Sequence, residues 1–79
     1  MRYFFHEHAW MRMRTRMAHV GVTAPDVIAV IRAPVATAPA DYGRINAWGF
    51  AANGVRIRVT YHPGTGEIRT VAIADRRYT

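Results

Sequence analysis

The spacing of apolar residues changes character near Gly43, and that change decides which class of fold the chain can adopt. Before it, Ala9, Trp10, Met13, Met17 and Val20 recur with helical period and gather on one side of a wheel. After it the period is two. Val55, Ile57, Val59 and Tyr61 point one way along a strand, and Arg56, Arg58, Thr60 and His62 point the other. A helical half followed by a half of short strands predicts an α+β domain, with helices on one face of an antiparallel sheet.

The element boundaries follow from local chemistry. The first helix is expected from about residue 6 to residue 19, with Gly21 closing it. Thr23 suits an N-cap, Pro25 the first turn and Asp26 the positive helix end, so a second helix starts there. Val27, Ile28, Val30 and Ile31 supply its stripe, and Pro34 ends it. Tyr3 to Phe5 reads as a short edge strand or an apolar lead-in, and residues 33–43 as an extended connector. Strands are expected over 44–51, 55–62 and 67–74. Asn53-Gly54 predicts a type I′ hairpin turn, and Pro63-Gly64-Thr65-Gly66 a second turn. The expectation is a single domain over residues 1–79, with two N-terminal helices packed on a three- to four-stranded antiparallel β-meander.

At 79 residues the core is thin, since a domain of ~60 residues buries only ~60% of the surface its unfolded chain exposes. The chain lacks Cys, so it has no disulfide, thiolate nucleophile or Cys-type zinc site, which fits a reducing cytosol. No stretch resembles a signal peptide or reaches the ~20 apolar residues of a membrane helix, so the expectation is a soluble, cytoplasmic protein away from membranes. The net charge of +6 calls for an anionic partner, either nucleic acid or an acidic protein. The plainer alternative, a GC-rich genome, would explain why every basic residue besides His is Arg rather than Lys. It does not explain the excess of base over acid.

Candidate chemistry sits in two rows. His8, Arg12 and Arg16 are spaced i, i+4, i+8 and line up on a helix, and Arg58 and Thr60 share a strand face. RNA carries its own nucleophile, the 2′-OH. Cleavage then needs an acid or base for the proton and cations for the phosphate, tasks suited to His and Arg. The reading assigns His8 as acid or base, places Arg12, Arg16 and Arg58 on phosphates, and gives Thr60 and Thr70 auxiliary hydrogen bonds. Arg44, Arg56, His62, Arg76 and Arg77 complete a nucleic-acid surface. A solvated helix face is the plainer reading of Arg12 and Arg16, and turn chemistry that of His62 beside Pro63. His6 and His8 stand two apart and do not share a helix face, so neither metal nor cofactor is expected. Trp10, Met13 and Met17 read as core. On residues 44–50, Trp48 and Phe50 share parity with Arg44 and Asn46; should that set face away from the helices, it can stack bases or meet a partner.

His8-Ala9-Trp10-Met11-Arg12-Met13 resembles the His-Ala-x-x-Arg-Met signature of a family of small bacterial domains of unknown function. Gly21-Val22-Thr23, Gly43-Arg44, Asn53-Gly54, Arg56-Ile57-Arg58-Val59 and Ile68-Arg69-Thr70-Val71 continue the likeness along the chain. Gly21 stands four residues later than in the family pattern, close to one helical turn. That family is similar to BrnT and RelE toxins of toxin–antitoxin systems, many of which cut RNA without metal. The resemblance implies a RelE/BrnT-like fold and a metal-independent ribonuclease toxin. Its partners would be RNA, including ribosome-bound mRNA, and an acidic antitoxin or immunity protein. The alternatives are a non-catalytic nucleic-acid- or protein-binding module, and a ParE-like toxin inhibiting a protein target.

Overall fold

In the computed structural model, which describes residues 2–74, the chain begins with a short edge strand, one of the two readings of Tyr3 to Phe5. Phe4–Phe5 forms β1, followed by α1 over Glu7–Arg12. His6 caps α1, its Nδ1 accepting the His8 N–H at 3.1 Å, and Glu7 places negative charge in the first turn. The helix then widens into a π-helical stretch over Met13–Met17, a local form that alters the facing of side chains along it. Helix α2 spans Ala24–Arg32. Its start is held as the sequence implied: the Asp26 carboxylate accepts from the Thr23 N–H at 2.9 Å and from the Thr23 hydroxyl at 3.0 Å.

Four strands follow: β2 over Ala36–Pro39, β3 over Ile45–Phe50, β4 over Arg56–Tyr61 and β5 over Glu67–Ile73. The sheet order is β1-β5-β4-β3-β2, antiparallel except that β1 runs parallel to β5. The α+β class therefore stands, but the expected RelE/BrnT-like arrangement of two N-terminal helices on a three- to four-stranded antiparallel meander does not. The helices are internal, lying between the first and second strands of a five-stranded mixed sheet. Two physical features produced the difference. A two-residue strand at Phe4 and Phe5 carries no signal of its partner, and that partner, Glu67-Ile68, lies far along the chain and runs parallel to it. The supposed connector contains β2, whose Pro39 is tolerated because an edge strand can do without that N–H.

The β3–β4 hairpin lies where Asn53-Gly54 predicted it, with a different turn. Gly54 N–H donates to Ala51 C=O and Ala51 N–H to Val55 C=O, both at 2.9 Å. Gly54 is the only residue of this turn with positive φ, at +90°, so a three-residue loop replaces the type I′ turn. Asn53 is thereby released for long-range work. Its Nδ2 donates to Val20 C=O at 2.9 Å and Gly21 C=O at 3.3 Å, and its Oδ1 accepts from Val55 N–H at 3.1 Å. Ala52 N–H donates to Asp26 Oδ1 at 3.0 Å. The hairpin tip is thus tied to the end of the first helix and the start of the second.

Both helices cover one sheet face, α1 over β5 and α2 over β3 and β4. Ala9, Met13, Met17, Val27, Val30 and Ile31 meet Ala47, Ile57, Val59, Ile68 and Val71 in a buried core. Trp10, expected in that core, is instead 48% exposed and sits beside Phe5, with ring centroids 5.7 Å apart. Gly49 lets α2 approach closely, since a Cβ there would stand 3.0 Å from Val30 Cγ2. A bulge at Thr60/Tyr61 places Tyr61 opposite Ile68 and Thr60 opposite Thr70. The extra residue is Arg69, which explains why Ile68 and Val71, three apart, are both buried.

Candidate nucleic-acid interface

The decisive question for function is which set of β3 side chains faces the helices. Ala47 and Gly49 are buried beneath them, and Val30 lies against Gly49. Alternation then places Asn46, Trp48 and Phe50 on the opposite face, where no helix packs among the described residues. The same rule puts Arg56, Arg58 and Thr60 of β4 there, with Ile57 and Val59 in the core.

Cross-strand register turns these residues into rungs. Phe50 pairs with Arg56, Trp48 with Arg58, and Asn46 with Thr60. The rungs extend outward to Ala36 and Ala38 on β2 and to Thr70 and Ala72 on β5. Aromatic and amide groups thus occupy one row and guanidinium and hydroxyl groups the next, flanked by alanine methyls that keep the floor low. Arg56 lies 5.3 Å from the Phe50 ring centroid, within cation–π reach. At the start of β3, Arg44 lies 5.4 Å from the Tyr42 ring.

Tyr42 is the one non-glycine described residue with positive φ, at +61°, and its side chain is 83% exposed. A bulky residue is disfavoured there, so the loop stores strain while presenting an aromatic ring beside a guanidinium. Two arginines are also incompletely satisfied: Nε of Arg44 and Nε of Arg58 are shielded from solvent without a hydrogen-bond partner. An unmet buried donor costs about 1–3 kcal/mol, and an anion drawing the guanidinium outward would relieve it.

The predicted catalytic residues are not brought together. Arg58, Thr60 and Thr70 share the open sheet face. His8, Arg12 and Arg16 lie on α1 and its π-helical continuation, on the other side of the sheet. His8 and Arg16 are exposed there and Arg12 is half-buried. Arg16 lines an open cavity of about 480 Å³ with Thr15, His19, Val20 and Ile73. His8 borders a smaller hollow of about 290 Å³ with His6, Glu7 and Met11. His62 serves its turn: its Nδ1 accepts the Gly64 N–H at 3.0 Å and the Thr65 N–H at 3.2 Å. With Nδ1 so engaged, the neutral ring carries its proton on Nε2. Arg76 and Arg77 lie outside the described residues.

Sequence parity had already grouped Trp48 and Phe50 with Arg44 and Asn46, and Asn46, Trp48 and Phe50 do lie on the face away from the helices. Tyr42 stood in what read as a connector, and the pairing of Asn46 with Thr60 emerged only from the register. Thr60 Oγ1 donates to Asn46 Oδ1 at 2.5 Å, a contact that strand alternation alone cannot predict. No metal-binding group of three or more His, Cys, Asp or Glu forms among the described residues. No helix among them is long and apolar enough to cross a membrane. No known protein family, characterised protein or solved structure matches the chain.

Proposed function

We propose that the protein binds single-stranded RNA across the open face of its sheet. The observation that carries this reading is the pairing of Trp48 with Arg58 and Phe50 with Arg56 on a face where no helix packs among the described residues. The chain's net charge of +6 supports it. Bases stack on Trp48 and Phe50, while Arg44, Arg56 and Arg58 meet phosphates. Asn46 to Phe50 spans about 14 Å at strand rise, room for a few nucleotides. A binding module is favoured over the metal-independent ribonuclease because His8 lies across the sheet from Arg58, Thr60 and Thr70. Cleavage by 2′-OH attack needs proton transfer and phosphate contacts at one point.

Anisotropy titrations of a labelled single-stranded RNA test the proposal. With three arginines on phosphates, log affinity should fall with log salt at a slope of about −2, a loss of roughly 20-fold between 50 and 200 mM. Trp48→Ala should weaken binding about 10-fold by loss of a stacking platform, with the melting temperature showing that the fold persists. Arg58→Ala should flatten the salt slope, and Arg12→Ala or Arg16→Ala should leave it unchanged. A flat salt response, or a folded Trp48→Ala chain that binds normally, would refute the reading. Cleavage that survives EDTA and disappears in His8→Ala would instead favour the ribonuclease.

A further inference from the structure

We infer that Tyr42 is a stacking platform for a nucleotide base at the Arg44 end of the open face, held in a disfavoured backbone conformation that keeps its ring in solvent. The inference rests on the RNA-binding reading above and adds a seat that the β3 row does not supply. Arg44 is extended and shares the parity of Asn46, Trp48 and Phe50, so it marks that end of the row. Its guanidinium lies 5.4 Å from the centre of the Tyr42 ring. Among the described residues Arg44 is the ring's only polar partner, and it occupies at most one side of it. At 83% exposure the other side is open, so a base can stack there with the guanidinium behind the ring. Arg44 supplies the phosphate contact beside it. Its Nε is shielded and unpartnered, and it lines a hollow of about 340 Å³ with Ala38, Ala40 and Gly43 that leaves room for a ribose and phosphate.

Fold stability gives no reason for tyrosine at this position. Its φ of +61° is left-handed, a region that glycine enters freely, asparagine tolerates and bulky side chains avoid. The exposed ring buries little surface in return. Groups other than the ring fix the loop: Ala40 N–H donates to Arg44 C=O at 2.9 Å, and Arg44 N–H to Asp41 C=O at 3.2 Å. Gly43, at φ +73°, backs onto the His62 ring. A residue strained by its surroundings, with its side chain in solvent, fits a ligand contact. Stability and binding therefore pull in opposite directions at this one residue.

The test measures melting temperature and affinity for a labelled single-stranded RNA of mixed sequence on the same variants. Tyr42→Gly should melt no lower than wild type, because relief of strain offsets the entropy glycine adds to the unfolded chain. It should nonetheless bind about 10-fold more weakly. Tyr42→Asn accepts the left-handed backbone without a ring and should lose the same affinity, whereas Tyr42→Phe should retain it. The salt slope should be unchanged in Tyr42→Gly and flatter by about 0.7 in Arg44→Ala. Inorganic polyphosphate, which carries charge without bases, should bind Tyr42→Gly and wild type equally. A Tyr42→Gly chain that melts several degrees lower, or loses as much affinity for polyphosphate as for RNA, shows that the ring shapes the loop and overturns the inference. Undiminished RNA binding by Tyr42→Gly also overturns it and leaves the RNA-binding reading standing. No RNA binding by wild type at low salt overturns both.

Discussion

The parallel pairing of β1 with β5 depends on one atom being absent, the Cβ of Gly66. This buried residue sits at φ +83°, and a Cβ built on it would overlap the carbonyl oxygen of Arg2. In Gly66→Ala the left-handed backbone costs roughly 1–2 kcal/mol. The displaced N-terminal segment would also lose the Phe4 N–H bond to Gly66 C=O at 3.1 Å and the His6 N–H bond to Ile68 C=O at 2.9 Å. Each bond contributes about 0.5–1.5 kcal/mol, so the total is on the order of 3–4 kcal/mol. Gly54→Ala is the matched control. Its φ is +90°, but no atom lies within 4 Å of the new Cβ, so only backbone strain applies. After the entropy lost from the unfolded chain is offset, that strain comes to about 1 kcal/mol. At roughly 4–8 °C per kcal/mol for a domain of this size, thermal melting followed by circular dichroism should drop about 20 °C for Gly66→Ala and about 5 °C for Gly54→Ala. Equal drops for the two variants would mean that the N-terminal strand does not press against Gly66, and the parallel pair would have to be abandoned.

Two further perturbations probe how the hairpin is tied to the helices. The N–H groups of Thr23 and Ala52 hold the Asp26 carboxyl below its ordinary value of 3.8, more than desolvation raises it. A depressed folded value means that this stabilisation is present above about pH 3.8 and is lost as pH falls through the folded-state value. Urea midpoints measured from pH 6 downward should show an acid limb that Asp26→Asn diminishes, and an unchanged limb would count against the contact. Asn53→Ala removes the side-chain bonds to Val20, Gly21 and Val55 and should cost about 1–2 kcal/mol, modest because the site is exposed. Faster amide exchange at Val55 in that variant would locate the loss, and a midpoint equal to wild type would refute the tie.

Some of this was legible along the chain because its cause is local. Thr23 and Asp26 cap a helix within one turn, and strict alternation from Val55 to Tyr61 separates core from open face without reference to any partner. The charge of +6 and the spacing of the arginines are likewise properties of the sequence. What local pattern cannot carry is pairing between distant segments. Two phenylalanines became a strand because β5 offered an edge to them, and residues 36–39 became one because β3 had a free edge on its other side. The helical row His8, Arg12, Arg16 was real as a spacing, yet a helix occupies one side of a sheet and cannot share a surface with the residues on the other. Register alone set Asn46 against Thr60 and Trp48 against Arg58, and the bulge at Arg69 brought Thr70 onto their face. Composition and period thus determined the class of fold and the charge it bears. Which cations meet which rings was decided by strand pairing, because side chains on a sheet are neighbours across hydrogen bonds rather than along the chain.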